Sequence, residues 1–269
     1  GLFPEDIAVG YLSVVLERPL KWIADRQENM LTFHGRGHTA DVEVAEKNDG
    51  TILGLRLRNV VDGGAFVGNS TTTPPYTSSH RIMGPYKIPA ARVEVLGVAT
   101  NKGPTGAYRG AGGPESAFCM ERTMDLVARE LGMDPVEIRR KNFISPDAFP
   151  YQTATGLTYD SGEYGKSLDL ALEMSDYYGW QEKARLSTET GGPLIGVGVS
   201  TVVKMAGAAG EVRTEDAWIT MDSGGKVTAR TGISPHGQGS DVCMAQVVAD
   251  QLGISPSNIQ VLHGDTDVV

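Results

Sequence analysis

Residues 106–114 read Gly-Ala-Tyr-Arg-Gly-Ala-Gly-Gly-Pro, and an amphipathic helix is predicted directly after them, over residues 116–131. Small residues let the backbone approach a bulky ligand, and glycine reaches backbone conformations that other residues avoid. The helix that follows offers free N–H groups and the positive end of its dipole. Arg109 adds a forked, permanently charged set of donors. The stretch therefore predicts a loop that holds an anionic, planar cofactor.

A second loop repeats this pattern at residues 236–239, His-Gly-Gln-Gly, between a predicted strand and a predicted helix over 240–252. The two glycines flank Gln238, so the amide can project while the backbone turns sharply. Taken alone, such a tetrapeptide is more often a structural turn than a ligand site. Two such loops in one chain favour a ligand site over a structural turn, because one dinucleotide-sized cofactor can be gripped at both ends.

Composition restricts the classes of function. The 269 residues carry a net charge of −9 with dispersed basic residues, which argues against binding to nucleic acid or to anionic membranes. No apolar run approaches the roughly 18 residues of a membrane span, and no signal peptide opens the chain. The two cysteines, Cys119 and Cys243, form no CxxC motif, so an iron–sulfur cluster within this chain is not expected. Read as two buried, unpaired thiols, they predict a reducing, cytoplasmic compartment.

The element pattern predicts an α+β fold, with mixed helices and antiparallel sheets in two sub-domains. We expect the first over residues 1–180 and the second over 190–269, with a boundary near 180–192 around Gly191-Gly192-Pro193. Periodicity predicts helices at 4–17, 116–131, 134–141, 167–178 and 240–252. It predicts strands at 21–26, 38–46, 51–61, 92–100, 194–205, 211–221, 225–231 and 258–263. Residues 145–165 have the composition of a loop.

The other polar features favour structural explanations. The histidines at 34, 38 and 80 lack metal-ligand spacing, and the run Asp25-Arg26-Gln27-Glu28 is typical of a solvated helix start or an ion pair. Glu115 follows Pro114 where a carboxylate complements the helix dipole, so we interpret it as a capping residue with a smaller chance of a contact near the ligand. The glycine-rich segment 63–68 is not followed by a predicted helix, so a β-turn is favoured over a nucleotide fingerprint.

Three stretches carry a family resemblance: GAYRGAGGPE (106–115) with LGMDPVEIRRKNFI (131–144), HGQG with AQVVADQLGISPSNIQVLHGDTD (245–267), and PEDIAVGYLSVVLERPLKWIADRQENM (4–30). Together they resemble the molybdopterin-binding large subunit of the xanthine dehydrogenase, aldehyde oxidase and carbon monoxide dehydrogenase family. The resemblance extends over nearly the whole chain. It implies that the chain is an internal fragment of a longer subunit, which fits the absence of an initiator Met and the apolar end at Val268-Val269.

The resemblance implies a molybdenum hydroxylase, an oxidoreductase that hydroxylates carbon with oxygen from water. Its cofactor is molybdenum bound to molybdopterin, as a cytosine dinucleotide in most bacterial members. Arg109 matches the arginine beside the metal centre, and Gln238 matches a glutamine that donates toward the cofactor. The backbone contacts of the two motifs fall on Ala107, Tyr108, Gly110, Gly237 and Gly239.

The resemblance also implies partners. Electrons leave the cofactor through two [2Fe–2S] clusters to FAD, on an iron–sulfur subunit and an FAD subunit or on further domains, and the expected assembly is a dimer of heterotrimers. The family's general-base glutamate would lie beyond Val269. This chain is therefore expected to hold part of the cofactor site, with no catalytic residue and no direct metal ligand, and to be inactive alone.

Departures from the family pattern bear on the substrate. Carbon monoxide dehydrogenases have a copper-binding cysteine where this chain has Gly110, and xanthine dehydrogenases have a purine-stacking phenylalanine where it has Ala111. Their purine-orienting arginine falls near Thr77, and the closest arginine, Arg81, is out of register. The pocket residues Ala111 and Thr77 thus favour an aldehyde or an N-heteroaromatic substrate. The alternative is a non-catalytic or truncated structural module of such a complex.

Overall fold

The computed structural model describes residues 3–68, 70–204, 216–233, 235 and 237–264. The chain divides into two compact units, Gly1–Lys204 and Met205–Val269. Each combines helices with a small sheet, which confirms the predicted α+β class. None of the helices in the described ranges is long and apolar enough to cross a membrane.

The first unit contains seven helices and five strands among its described residues. The helices are α1 (Pro4–Leu16), α2 (Arg26–Thr32), α3 (Thr73–Arg81), α4 (Gly113–Leu131), α5 (Pro135–Asn142), α6 (Tyr164–Met174) and α7 (Tyr177–Glu189). The strands are β1 (His38–Glu46), β2 (Ile52–Gly64), β3 (Ala91–Ala99), β4 (Tyr151–Gln152) and β5 (Thr158–Tyr159). A short 3-10 turn at Pro146–Ala148 precedes β4.

The three-stranded sheet has the order β1-β2-β3. The hairpin β1–β2 is antiparallel, as predicted, but β3 pairs with β2 in parallel, so this sheet is mixed. A parallel neighbour requires a crossover connection, because a tight turn can only reverse the chain. Here the crossover contains α3, which the sequence TPPYTSSHR did not reveal because its prolines and hydroxyl residues are typical of a loop. The crossover places α3 beside the 106–114 loop.

The main core lies between the sheet and α4, where the predicted apolar stripe packs. Met120 and Met124 are completely buried, and Val127 nearly so. They contact apolar side chains of β2, of the segment after α3 and of α5, namely Ile52, Leu55, Leu57, Ile82, Met83, Tyr86, Ile88 and Ile138. Packing in this cluster orients α4, and therefore the loop that leads into it.

A buried ion pair joins α4 to α5. Arg139 is 0% exposed, and its Nε donates to Oε2 of Glu121 at 2.9 Å. Its Nη2 donates to Oδ1 of Asp125 at 2.9 Å, while the Tyr86 hydroxyl donates to Oε1 of Glu121 at 2.6 Å. The backbone N–H of Thr201 donates to Oε2 of Glu121 at 2.8 Å. Burial, with the adjacent Glu121 charge, raises the pKa of Tyr86. The network holds the segment before Lys204 against α4.

Two predicted strands are absent. Residues 194–204 form no strand, because Val197 and Val199 pack against the helical residues Val136, Leu168, Leu172 and Tyr177 rather than beside another strand. Residues 21–25 are not a strand either, and α2 begins at Arg26. Its start is a capping box, in which Asp25 Oδ1 accepts from the Glu28 N–H at 2.8 Å and Glu28 Oε2 from the Asp25 N–H at 2.9 Å. This confirms the interpretation of that run as an exposed helix start.

The second unit contains β6 (Ala217–Met221), β7 (Val227–Thr231), α8 (Ser240–Leu252) and β8 (Ile259–Leu262). Its sheet has the order β6-β7-β8, with β6 antiparallel and β8 parallel to β7. The predicted strand at 211–221 is present from Ala217 onward, and residues 211–215 lie outside the described ranges. The predicted helix at 240–252 is confirmed.

The cysteines are both free, but only one is shielded from solvent. Cys119 on α4 is half-buried, and burial raises the pKa of its thiol. Cys243 on α8 is exposed, so the expectation of two buried thiols is wrong. The apolar periodicity of α8 predicted an inner face, yet among its described residues only Ala249 is buried.

Candidate cofactor-binding site

The 106–114 loop turns through three consecutive residues with positive φ. Gly110, Ala111 and Gly112 have φ values of 100°, 44° and 93°. Two hydrogen bonds close the turn, from the Ala111 N–H to the Tyr108 carbonyl at 2.9 Å and from the Gly113 N–H to the Gly110 carbonyl at 3.0 Å. The chain then enters α4 with Gly112 as its N-cap. The predicted combination of a glycine turn and a helix N-terminus is present.

The glycines of this loop also make room for the protein itself. A Cβ on Gly106 would lie 2.4 Å from the Phe33 ring and 2.5 Å from Oγ of Ser70. A Cβ on Gly112 would lie 2.4 Å from the Pro74 carbonyl oxygen on α3. The sequence pattern relates these small residues to the approach of a ligand, but at both positions neighbouring protein atoms already require a glycine. The loop therefore packs closely against Phe33 on one side and α3 on the other.

Arg109 and Tyr108 project from this seated backbone. Tyr108 is 58% exposed, and Arg109 is also exposed. Within the described ranges, the Arg109 guanidinium makes no ion pair, so its charge is available to an anionic group. The Ala107 N–H donates to Oγ of Ser70 at 3.1 Å, which leaves its carbonyl for other contacts.

Thr77, one of the two predicted pocket residues, lies against the 106–114 loop. Thr77 lies on α3, and its Cβ is 2.9 Å from the position that a Cβ on Gly112 would take. It therefore lies beside Gly112, the loop residue that follows Ala111, although the two are far apart in the sequence. Arg81, one helical turn further along α3, has its Nη1 3.7 Å from the corresponding position on Gly113. The helix thus carries both a hydroxyl and a guanidinium to this loop.

Arg36 is a functional candidate that sequence reasoning missed. Its Nη2 donates to the Arg109 carbonyl at 2.8 Å, and its guanidinium lies 4.9 Å from the centre of the Tyr108 ring. Its Nε is 3.9 Å from Oε1 of Glu115. Arg36 and Arg109 are 73 positions apart, so no local pattern predicts their contact.

A cavity of about 560 Å³ opens between β1, β2 and the start of α4. His38 and Asn59 line it, with the Asn59 Nδ2 3.1 Å from the His38 Nδ1. Glu115 Oε2 and Asn59 Oδ1 are buried, with no hydrogen-bond partner among the described residues. Burial lowers the pKa of His38, and the nearby Glu115 charge partly opposes this shift. The cavity is a polar, partly desolvated space next to the loop.

The lowered His38 pKa predicts how stability depends on pH. Because the unfolded chain binds a proton at His38 more readily than the folded chain, stability falls as the pH drops below about 6.5. The loss is complete once the pH passes the lower, folded-state pKa. When the pH is lowered from 7.5 to 5.5, we expect the melting temperature of a His38→Gln variant to fall by less than that of the wild type. Parallel losses in the two proteins would contradict the assignment.

A larger cavity of about 930 Å³ lies on the other side of α3, against β3 and residues 63–67. Its walls include Tyr76, His80, Val95 and Phe66. The predicted turn at 63–68 is partly strand, because β2 continues to Gly64. No group of three or more His, Cys, Asp or Glu side chains within the described part of the chain is placed to hold a metal ion.

The second predicted loop has the expected backbone. Gly237 and Gly239 have φ values of 108° and 76°, and Gly239 is the N-cap of α8. Gln238 lies exposed between them. His236 lies outside the described residues. The glycine turn and helix N-terminus of the first unit therefore recur in the second.

Comparisons with known proteins agree with these features. Two family profiles, each described as a molybdopterin cofactor-binding domain, match residues 1–143 and 170–269. The carbon monoxide dehydrogenase large chain of Hydrogenophaga pseudoflava is 39% identical over 99% of this chain and 35% of its own length. The nicotine 6-hydroxylase large subunit of Paenarthrobacter nicotinovorans is 34% identical over 98% of this chain and 34% of its own length.

Among solved structures, quinoline 2-oxidoreductase from Pseudomonas putida 86 superposes with a TM-score of 0.85 at 34% identity, over 98% of this chain and 35% of that one. The class is thus that of molybdopterin-binding proteins. The chain belongs to the molybdopterin cofactor-binding domain family, and its relatives include subunits named for carbon monoxide dehydrogenase and xanthine dehydrogenase as well as an aldehyde oxidoreductase. It spans about 35% of the length of the relatives it matches.

Proposed function

We propose that the chain is part of a molybdenum hydroxylase large subunit that binds the molybdopterin cofactor, with the 106–114 loop as the candidate contact in the first unit and residues 237–239 as a separate candidate contact in the second. The observation that carries this proposal is the exposed Arg109 guanidinium on a tight glycine turn at the start of α4. The alternative, a non-catalytic structural module, does not explain an exposed arginine on a tight glycine turn.

The residues present fit the cofactor. Tyr108 is exposed and Gly110 is partly exposed, and the N-terminus of α4 follows directly. A phosphate or pterin edge would accept hydrogen bonds from the Arg109 fork, and the positive end of the α4 dipole would favour its negative charge. Gln238, between Gly237 and Gly239, supplies an amide in the second unit. When bound, the molybdenum–pterin group supplies the oxidation of a substrate carbon with oxygen from water.

The substrate we propose is an aldehyde or an N-heteroaromatic compound. A copper-binding cysteine does not fit this turn, because a Cβ at Gly110, where φ is 100°, would lie 2.6 Å from Cδ of Pro114. The small Ala111 side chain cannot stack on a ring, and Thr77 lies beside the next loop residue, Gly112. Two relatives are named for quinoline and nicotine, which supports the heteroaromatic option. Turnover of quinoline measured against that of an aromatic aldehyde discriminates between the two classes.

The remaining parts of the proposal concern the whole protein. We place the domain division at residues 1–180 and 190–269, the cofactor in its cytosine dinucleotide form, and the protein in the cytoplasm. An iron–sulfur subunit and an FAD subunit would accept the electrons in a dimer of heterotrimers. A relative is named as subunit gamma of a dehydrogenase complex, which supports a multi-subunit assembly. The general-base glutamate would come from outside this chain.

An Arg109→Ala substitution in the full-length protein tests the cofactor assignment. Loss of a hydrogen bond from a charged group removes about 1.5–3 kcal/mol of binding, so we expect molybdopterin affinity to fall roughly 10- to 100-fold. The measurement is molybdenum and pterin content per large subunit after purification and dialysis. Arg92→Ala is the matched control, because Arg92 pairs only with Glu94 at an exposed edge of the sheet among its described contacts. Unchanged cofactor content and turnover in Arg109→Ala would contradict the assignment of Arg109 to cofactor binding.

A further inference from the structure

Arg36 contacts three residues in and directly after the 106–114 loop, although it lies 73 positions before Arg109 in the sequence. Its guanidinium contacts the Arg109 carbonyl, the Tyr108 ring and the Glu115 carboxylate. We propose that Arg36 and Glu115 form a clamp that sets the direction of Arg109, and that both are positioning residues for cofactor binding. This inference rests on the proposed function, because the clamp acts through Arg109.

The contacts of Arg36 use different parts of one side chain. The hydrogen bond from Nη2 to the Arg109 carbonyl fixes the backbone at the residue whose side chain projects. The stacking on Tyr108 at 4.9 Å holds the preceding residue through a cation–π contact. Only a planar, forked cation makes both contacts while its Nε faces a carboxylate, so lysine is not an equivalent residue here.

Glu115 completes the clamp from α4. Its side chain is only 9% exposed, and its Oε1 lies 3.9 Å from the Arg36 Nε. A carboxylate buried to this extent requires a counter-charge, since an unpaired buried charge is costly. We interpreted Glu115 mainly as a capping residue. Its position in the first turn of α4 agrees with that, but its facing Arg36 adds a second role.

Backbone conformation supports the need for a clamp. Ala111 has a φ of 44° and Arg36 a φ of 64°, both in the left-handed region that side-chain-bearing residues rarely adopt. Such residues persist only where surrounding contacts over-determine them. The clamp joins these two segments directly. Without it, the turn from Tyr108 to Gly112 keeps its internal hydrogen bonds, and the Gly106 N–H still donates to the His34 carbonyl at 3.2 Å, but the Arg109 carbonyl loses its hydrogen bond to Arg36.

The test is a double-mutant cycle in the full-length protein, with Arg36→Ala, Arg109→Ala and the double variant. We expect Arg36→Ala to lower the molybdenum content roughly tenfold and to speed amide hydrogen exchange in the peptide covering 107–113 by about tenfold. If Arg36 acts through Arg109, the double variant retains the same cofactor content as Arg109→Ala alone. Arg36→Lys is expected to recover less than half of the molybdenum content that Arg36→Ala loses. Arg92→Ala is expected to change neither the molybdenum content nor the exchange rate.

Each contrary outcome has a distinct meaning. Unchanged exchange at 107–113 in Arg36→Ala overturns the clamp. So do additive losses of cofactor, because they would show that Arg36 acts independently of Arg109. Faster exchange in Arg36→Ala together with full cofactor content in both Arg36→Ala and Arg109→Ala overturns the proposed function and the positioning role with it. Faster exchange with full cofactor content in Arg36→Ala alone overturns only the positioning role.

Discussion

An Arg139→Ala variant is expected to lose about 3–5 kcal/mol of unfolding free energy, because it leaves the buried Glu121 carboxylate without its counter-charge. Arg139 is 0% exposed, and Glu121 also accepts from Tyr86 and from the backbone of Thr201. The substitution therefore weakens the packing of α5 on α4 and the attachment of the segment before Lys204. The measurement is the urea concentration at the midpoint of unfolding of the full-length subunit, with unfolding monitored by circular dichroism.

The neighbouring residue provides the control for this prediction. Arg140 also lies on α5, but its partners Glu137 and Asp169 are exposed, and exposed ion pairs contribute about 0–1 kcal/mol. Arg140→Ala should therefore shift the midpoint far less than Arg139→Ala. Equal shifts would show that the buried pair is no more important than a surface pair. Faster proteolytic cleavage within 190–204 in Arg139→Ala alone would identify the released segment.

The second large effect is expected for Gly112→Ala, at the start of α4. The new Cβ would lie 2.4 Å from the Pro74 carbonyl oxygen and 2.8 Å from the Ser78 nitrogen, both backbone atoms of α3. Relieving this overlap costs about 1–3 kcal/mol, and the φ of 93° costs an alanine about 1–2 kcal/mol more. We expect a total loss of roughly 2–5 kcal/mol, together with reduced cofactor content, because the shift moves the loop that bears Arg109.

Gly132→Ala separates the two causes. Gly132 has a φ of 63° at the end of α4, and a Cβ there would meet nothing within 4 Å. It therefore carries only the conformational cost, without the overlap. The difference between the two melting temperatures measures the contact with α3. If the two variants have the same melting temperature, α3 does not constrain the loop, and the close contact between Gly112 and α3 is wrong.

Elements with a strong period were predictable from the sequence. The stripe of Met120, Met124 and Val127 predicted α4 and its buried face, and the alternation around the Asn48-Asp49-Gly50 turn predicted the β1–β2 hairpin. Local chemistry sufficed for both, because each pattern matches the geometry of its own element. The glycine spacing likewise predicted the turns at 110–112 and 237–239.

Where contacts between distant segments decide the conformation, the prediction was wrong or incomplete. The alternation at 194–204 is typical of a strand, but its valines pack on helices and its Thr201 binds Glu121. Helix α3 has a loop-like sequence and lies in the crossover connection that the parallel pairing of β2 and β3 requires. The exposure of Cys243 likewise depends on which face of α8 is covered, which periodicity does not state.

The sequence by itself determined the family, the α+β class and the two glycine turns, because these are written in short motifs whose chemistry is local. Only the tertiary structure decided what surrounds Arg109. It placed Thr77 and Arg81 beside the loop through α3, and it brought Arg36 to the Arg109 carbonyl across 73 positions. Contacts of this kind depend on the packing of the sheet against α4 and on the crossover that contains α3. No spacing within a single segment encodes them.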